Sequence, residues 1–424
     1  MAESENKKVK KTPEDSVKSK TVKATATAVK AVSKPAAAKK TNGATKSSAA
    51  KKSASSTVKP AKNVAKTTTT TKTATPQKKL KIEYEVKFKQ SVLFVASEAN
   101  PFAGTGGLAD VIGSLPKSLA QRGEYDIRVA IPLYGAVSPA YRAMMRFEGN
   151  FNVPVAWRNQ YCGLFSLKYE GVTFYFIDNE YYFKRDNLYG YFDDGERFAF
   201  FSRAVLEAMR YLDYYPEILH CHDWQTALSV IYLKTIYADN KGFDSVRALF
   251  TIHNIEYQGK FGHELLQDLF GLPEFCRQIV DYNGCINLMK GAIQLAERFS
   301  TVSRTYADEI KNPFFAHGLE YMTNANDYKL TGILNGIDET LYNPSNDDKI
   351  FAKYSVNDLS GKAVCKEELQ KMLALPVKKD VPLIAIISRL VPAKGLDLVK
   401  CVFEELLAED VQVVILGKGD GEYE

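Results

Sequence analysis

The stretch Val92-Leu93-Phe94-Val95-Ala96-Ser97-Glu98-Ala99-Asn100-Pro101-Phe102-Ala103-Gly104-Thr105-Gly106-Gly107-Leu108-Ala109-Asp110-Val111 decides the fold. Its opening apolar run predicts a buried strand over Ser91–Ser97, and the amphipathic run from Ile112 to Leu119 predicts a helix, with a glycine loop between them. Glycines between a strand end and a helix start let a ligand approach the backbone. The helix then aims unpaired amides and the positive end of its dipole at an anion. A single glycine turn serves packing as readily as binding, so on its own the loop leaves both readings open.

Outward from this loop, short apolar runs alternate with helical stretches. Further strands are expected at Ile127–Pro132, Val172–Asp178, Ile218–His222, Ala248–His253, Arg298–Val302 and Gly332–Leu334, then Leu383–Ile387 and Val411–Leu416; helices are expected at Glu196–Leu212 and Trp224–Tyr237. Such alternation predicts an α/β architecture with a doubly wound parallel sheet, whose ligands bind at the carboxyl ends of the strands.

Charge divides the 424-residue chain in two. The first 80 residues carry 20 Lys, no Arg, four acidic residues and no aromatic residue, so they alone are +16 while residues 81–424 are −10, against +6 for the whole. A Lys/Ala/Thr-rich segment without large apolar side chains cannot bury enough surface to offset its chain entropy, and a disordered basic tail is expected over residues 1–88. Weak binding of a polyanion is one use for such a tail, and simple solubilisation is another. No secretory or membrane-spanning run is found, which leads to the expectation of a soluble, cytoplasmic protein with no membrane partner; a plastid address is disfavoured by the early acidic residues and the absence of Arg. Six scattered cysteines without C-x-x-C spacing read as free thiols of a reducing compartment.

Two later strand ends carry polar clusters, His220-Cys221-His222-Asp223-Trp224 and His253-Asn254-Ile255-Glu256-Tyr257-Gln258-Gly259. Adjacent strands would bring them to one pocket. No metal is expected, since His220 and His222 are placed on opposite faces of their strand and no other ligand set has suitable spacing. Asp223 by itself reads as a helix N-cap. His253-Asn254 at a strand end is harder to explain by packing, because both side chains need polar partners.

Taken together, the first loop, His222-Asp223-Trp224, His253-Asn254-Ile255-x-Tyr257-Gln258-Gly259, Asp193-Asp194-Gly195-Glu196-Arg197-Phe198, Thr301-Val302-Ser303, Gly332-Ile333-Leu334-Asn335-Gly336-Ile337-Asp338, Ser388-Arg389-Leu390-Val391-Pro392-Ala393-Lys394-Gly395 and Leu416-Gly417-x-Gly419-Asp420 resemble bacterial glycogen synthase and plant starch synthase, in order, from about residue 90 onward. The resemblance implies two facing Rossmann-like domains of the GT-B type: an acceptor-side domain over 89–335 and a donor-side domain over 336–424. It implies a metal-free, cofactor-free retaining transfer of glucose from ADP-glucose to the nonreducing end of an α-1,4-glucan such as glycogen or a starch primer.

By the same resemblance Arg389 and Lys394 would neutralise the departing diphosphate, as such a leaving group requires. His253 would lie beside the transferred glucosyl unit. Asp223 and Asn335 would hold sugar hydroxyls or support the pocket, with Asn254 beside them. Tyr189 would line the donor site, Thr105, Gly106, Gly107 and Asp110 would form the loop facing the donor, and Glu98 would support the acceptor side. Trp157, Tyr161, Tyr181 and Tyr182 are candidates for stacking on glucan rings, with packing the commoner use of such residues.

Two departures stand out. The family's usual Lys before Thr-Gly-Gly-Leu is Gly104 here, which leads us to expect lower activity or a compensating cation. The chain also ends at Glu424, short of the family's Pro-Ser-x-x-Glu-Pro-Cys-Gly region, so the second domain is expected to be incomplete. These departures keep two alternatives open: a noncatalytic glucan-binding protein, and a polyanion-binding protein acting through its tail.

Overall fold

The computed structural model describes residues 89–424, and the basic tail expected over residues 1–88 lies outside the described residues. The strands are, in chain order, β1 (Gln90–Val95), β2 (Tyr125–Pro132), β3 (Arg146–Val155), β4 (Arg158–Tyr169), β5 (Val172–Asp178), β6 (Ile218–His222), β7 (Arg247–Ile252), β8 (Lys260–Phe261), β9 (Asp281–Tyr282), β10 (Cys285–Asn287), β11 (Arg298–Thr301), β12 (Leu330–Gly332), β13 (Leu383–Ile387) and β14 (Gln412–Leu416). Nine of them form one sheet in the order β12-β11-β7-β6-β1-β2-β5-β4-β3; β8–β10 make a small antiparallel sheet, and β13 and β14 pair with each other in parallel.

The principal helices are α1 (Gly107–Gln121), α2 (Asp194–Tyr211), α3 (Trp224–Lys234), α4 (Leu288–Leu295), α5 (Arg304–Glu309) and α6 (Leu396–Ala408). From β1 the chain steps to β2 and β5 on one side, then returns past β1 to β6, β7, β11 and β12 on the other. Right-handed crossovers therefore put α1 on one face of the sheet and α2, α3 and α4, which pack in succession, on the opposite face. The direction of winding reverses between β1 and β6, and a doubly wound sheet opens its ligand crevice at that point.

The central strands are covered on both faces, which is why they read as unbroken apolar runs. Phe94 and Val95 of β1, Phe250 and Ile252 of β7, and Phe200 and Phe201 of α2 are all essentially inaccessible. Each such side chain contributes roughly 1.5–3 kcal/mol of transfer free energy on burial.

The sheet departs from the expected all-parallel arrangement at one end. β3 and β4 form an antiparallel hairpin, and β4 also runs antiparallel to β5. Neither strand shows a continuous apolar run, and β3 holds Gly149 and Pro154; as the edge strand it tolerates a proline that a central ladder would not. β12 also lies two residues before its expected position, at Leu330–Gly332, because the ladder with β11 uses those residues and leaves Ile333 and Leu334 exposed. Among the described residues no helix is long and apolar enough to cross a membrane.

Gly259 closes the loop after β7 at φ +66°, and a Cβ there would lie 2.7 Å from the Trp224 ring. Gly259→Ala is expected to destabilise the fold by about 1–3 kcal/mol through strain and overpacking. Urea unfolding should show a lower midpoint at unchanged slope, and an unchanged midpoint would refute this account.

Candidate functional site

The crevice between β1 and β6 is built from three strand ends. β1 delivers Ser97 and Glu98, β6 delivers His222 and Asp223, and β7 delivers His253 and Asn254. Glu98 is buried and its carboxylate accepts both the Thr105 amide (2.7 Å) and the Thr105 hydroxyl (2.9 Å). Thr105 thus spends its donors inward, fixing the loop. Gly106 and Gly107 stay open, with no atom within 4 Å of where a Cβ would sit, so the start of α1 is accessible through bare backbone. Asp110, in the first turn of α1, accepts from Asn100 Nδ2 at 2.6 Å.

Gly104 is packed in the opposite sense. A Cβ would fall 2.5 Å from Ala109 Cβ and 2.6 Å from Asn100 Oδ1, so the loop as folded has no room for a side chain there. The basic residue lining the adjoining cavity of about 480 Å³ is Lys117, which already pairs with Glu170 (2.9 Å) and Asp338 (3.5 Å). The same cavity brings Asn335, in the linker that leaves the large sheet after β12, beside Gly107 and Asp110.

Asp223 does not cap α3. It sits at φ +56° with no capping bond, and its carboxylate instead crosses to the next strand, accepting the amides of His253 (2.7 Å) and Asn254 (3.4 Å). Burial pushes its pKa up to about 7, and the two amide donors only partly offset that cost. Burial also raises Glu98, and Asp223 adds to the rise. The start of α3 is held by Thr226, whose hydroxyl donates to the His222 carbonyl at 2.8 Å.

The histidines form a stack. His220 and His222 lie on one face of β6, with ring centroids 4.1 Å apart, which corrects the expectation of opposite faces: residues two apart in a strand share a face. His222 Nδ1 is 3.0 Å from His253 Nε2, and His220 Nε2 is 2.7 Å from Thr251 Oγ1. Burial lowers all three pKa values, His220 to about 3 and His253 to about 4, so the rings are neutral at pH 7. Among the described residues no group of three or more metal-ligand side chains is assembled.

Tyr306 and Ser97, to which sequence reasoning gave no role, join residues it did name around this site. The Tyr306 hydroxyl of α5 accepts the Ile255 amide (3.1 Å), and Ser97 Oγ pairs with Tyr189 Oη at 2.7 Å. Gln258, fully enclosed, donates to the carbonyls of Ile255 (3.0 Å) and His317 (3.1 Å). Asn254 turns its side-chain oxygen to the Glu256 amide at 2.9 Å. The acidic-Arg-Phe segment is structural: buried Arg197 donates to the carbonyls of Tyr182 (2.8 Å) and Leu188 (3.1 Å), shaping the loop that carries Tyr189. Tyr182 is buried too, whereas Trp157, Tyr161 and Tyr181 are exposed.

Arg389 and Lys394 are not joined to this cluster by any described contact. They flank the turn from β13 into α6, both exposed and outside every ion pair among the described residues. The turn itself is braced by backbone bonds from Asp420 to Leu390 (2.8 Å) and from Leu390 to Lys418 (3.1 Å).

Residues 91–325 match the starch synthase catalytic domain family. The chain belongs to the glycogen and starch synthase family. It is 47% identical over 335 residues to the glycogen synthase of Anoxybacillus flavithermus, covering 78% of this chain and 69% of that one. It is 48% identical over 337 residues to the glycogen synthase of Clostridium novyi, covering 79% and 70%. Among solved structures it is similar to the catalytic domain of Arabidopsis thaliana starch synthase IV bound to ADP and acarbose, at 33% identity and a TM-score of 0.73, over 79% of this chain and 70% of that chain. The family's glycosyltransferase fold accounts for the reversal between β1 and β6.

A desolvated Asp carboxyl holds its proton more tightly folded than unfolded when its pKa is raised from 3.8 to about 7. Stability from this group is therefore lost as pH rises from about 4 to about 7. Asp223→Asn keeps an acceptor for both amides without the charge, so its thermal midpoint relative to wild type should climb between pH 5 and pH 8. A difference that stays flat across that range would contradict the assignment.

Proposed function

We propose that this glycogen/starch synthase family member transfers glucose from ADP-glucose to the nonreducing end of an α-1,4-glucan with retention. The supporting observation is the tie from the Asp223 carboxylate to the His253 and Asn254 amides, which immobilises the two peptide units flanking His253 at the crevice. A transition state that develops positive charge at a sugar carbon is stabilised by dipoles already in place, which need no reorganisation during the reaction. In this reading the His253 carbonyl lies near the anomeric carbon, Asn335 and Asn254 serve sugar hydroxyls, Tyr189 lines the donor site, and Glu98 holds the glycine loop.

The departing diphosphate is served by Arg389 and Lys394 around one turn, at the start of α6, where unpaired amides add to their charge. Nucleotide and oligosaccharide as a pair of ligands are supported by the starch synthase IV structure, which holds ADP and acarbose. A cytoplasmic setting is proposed with this activity, in keeping with six cysteines that are all unpaired. Polyanion binding concerns the tail outside the described residues.

ADP release from ADP-glucose, with and without glycogen, tests the reading. Release should require glycogen, and Arg389→Ala with Lys394→Ala should lower kcat/KM by about a hundredfold or more, the loss expected when transition-state charge goes unmet. Equal release by the double variant would overturn the role given to this turn.

A further inference from the structure

Two neutral imidazoles facing each other share one proton between the nitrogens in contact, here His222 Nδ1 and His253 Nε2 at 3.0 Å. Which ring donates follows from the far side of His222. Its Nε2 is sealed from solvent and has no hydrogen-bond partner among the described residues. If His253 were the donor, His222 would carry its proton on Nε2, leaving a buried N–H unpaired. If His222 donates from Nδ1, only a lone pair goes unmet. Orphaned buried N–H groups are rarer than under-satisfied acceptors, so the second arrangement wins. Rotation of His222 is prevented by its neighbours, since Phe94 stacks on it at 5.7 Å with 14° between planes and His220 lies on it at 4.1 Å.

We propose that His222 is a positioning residue: its Nδ1–H donates to His253 Nε2 and thereby obliges His253 to carry its own proton on Nδ1. That second nitrogen belongs to a half-buried ring, is not sealed, and has no protein partner among the described residues. His253 therefore presents a hydrogen-bond donor to the crevice, fitted to a hydroxyl oxygen of the sugar and not to a hydroxyl proton. The inference rests on the place given to His253 in the proposed function, but the tautomer is measurable without any turnover.

The chain has only five histidines, so nitrogen-15 labelling of histidine gives a short spectrum in which long-range nitrogen–proton correlations separate the two tautomers. In the full chain at pH 7 the His253 signal, assigned through His253→Gln, should be that of the Nδ1–H form. Finding the Nε2–H form would overturn the proposal even if ADP release is as expected. In His222→Phe, which keeps the stack on Phe94 but removes the donor, the His253 Nε2 lone pair goes unmet, so its nitrogen-15 signal should move downfield toward that of an acceptor without a hydrogen bond, and kcat should fall by about tenfold, the size of one hydrogen bond, with KM for ADP-glucose little changed. His222→Asn places an amide donor near the lost Nδ1 and should restore both the His253 signal and part of kcat. A His253 spectrum in His222→Phe identical to wild type would refute the positioning role, whereas absence of ADP release with the expected tautomers would count against the proposed function alone.

Discussion

The site depends on one hydrogen-bonded carboxylate. Asp223 spans from the end of β6 to the backbone just past β7, and through the amides of His253 and Asn254 it fixes the peptide that faces the crevice. The bond is costly, since it holds an acid in a buried place and its backbone at φ +56°. Such costs persist where the surroundings over-determine the conformation. Here Thr226 holds the helix behind Asp223, Tyr306 holds the Ile255 amide ahead of it, and Gln258 closes the loop.

Much of the architecture was legible because buried parallel strands announce themselves as apolar runs. Val172–Asp178, Ile218–His222 and Leu383–Ile387 have the bounds expected of them. The β3–β4 hairpin escaped notice because its strands are partly solvated and carry Gly149 and Pro154, so no periodic signal rises above the background. For the site, residue type at strand ends led to Asp223 and His253, but the direction of the Asp223 side chain depends on the neighbouring strand, which local capping preferences do not encode. Ser97 and Tyr306 have no signature at all, because their partners lie 92 and 51 residues away in the chain. His222 was visible as part of a motif, yet its role depends on a contact with a ring 31 residues away.

The exposed cations and the neutral polar groups of the crevice are carried by different parts of the fold. The crevice at β1, β6 and β7 is lined by neutral imidazoles and two carboxylates, and its glycine loop is closed at Gly104. The exposed cations Arg389 and Lys394 stand on the turn after β13, in a separate two-stranded sheet. A diphosphate sugar has both chemistries in one molecule, so under the proposed function the two halves of its recognition would be encoded by segments more than a hundred residues apart. This separation explains why each motif alone had an ordinary structural reading and why their combination did not.

The linker that leaves the large sheet runs past Lys117, and that lysine is shared. Its ammonium is held by Glu170 from one side and by Asp338 of the linker from the other, at 2.9 and 3.5 Å. A cation with two counter-ions does not become uncompensated when one of them withdraws, because the remaining carboxylate keeps most of the Coulomb energy. The linker is therefore tied to α1 by the longer of the two contacts, and Lys117 keeps a counter-ion in Glu170 independently of it.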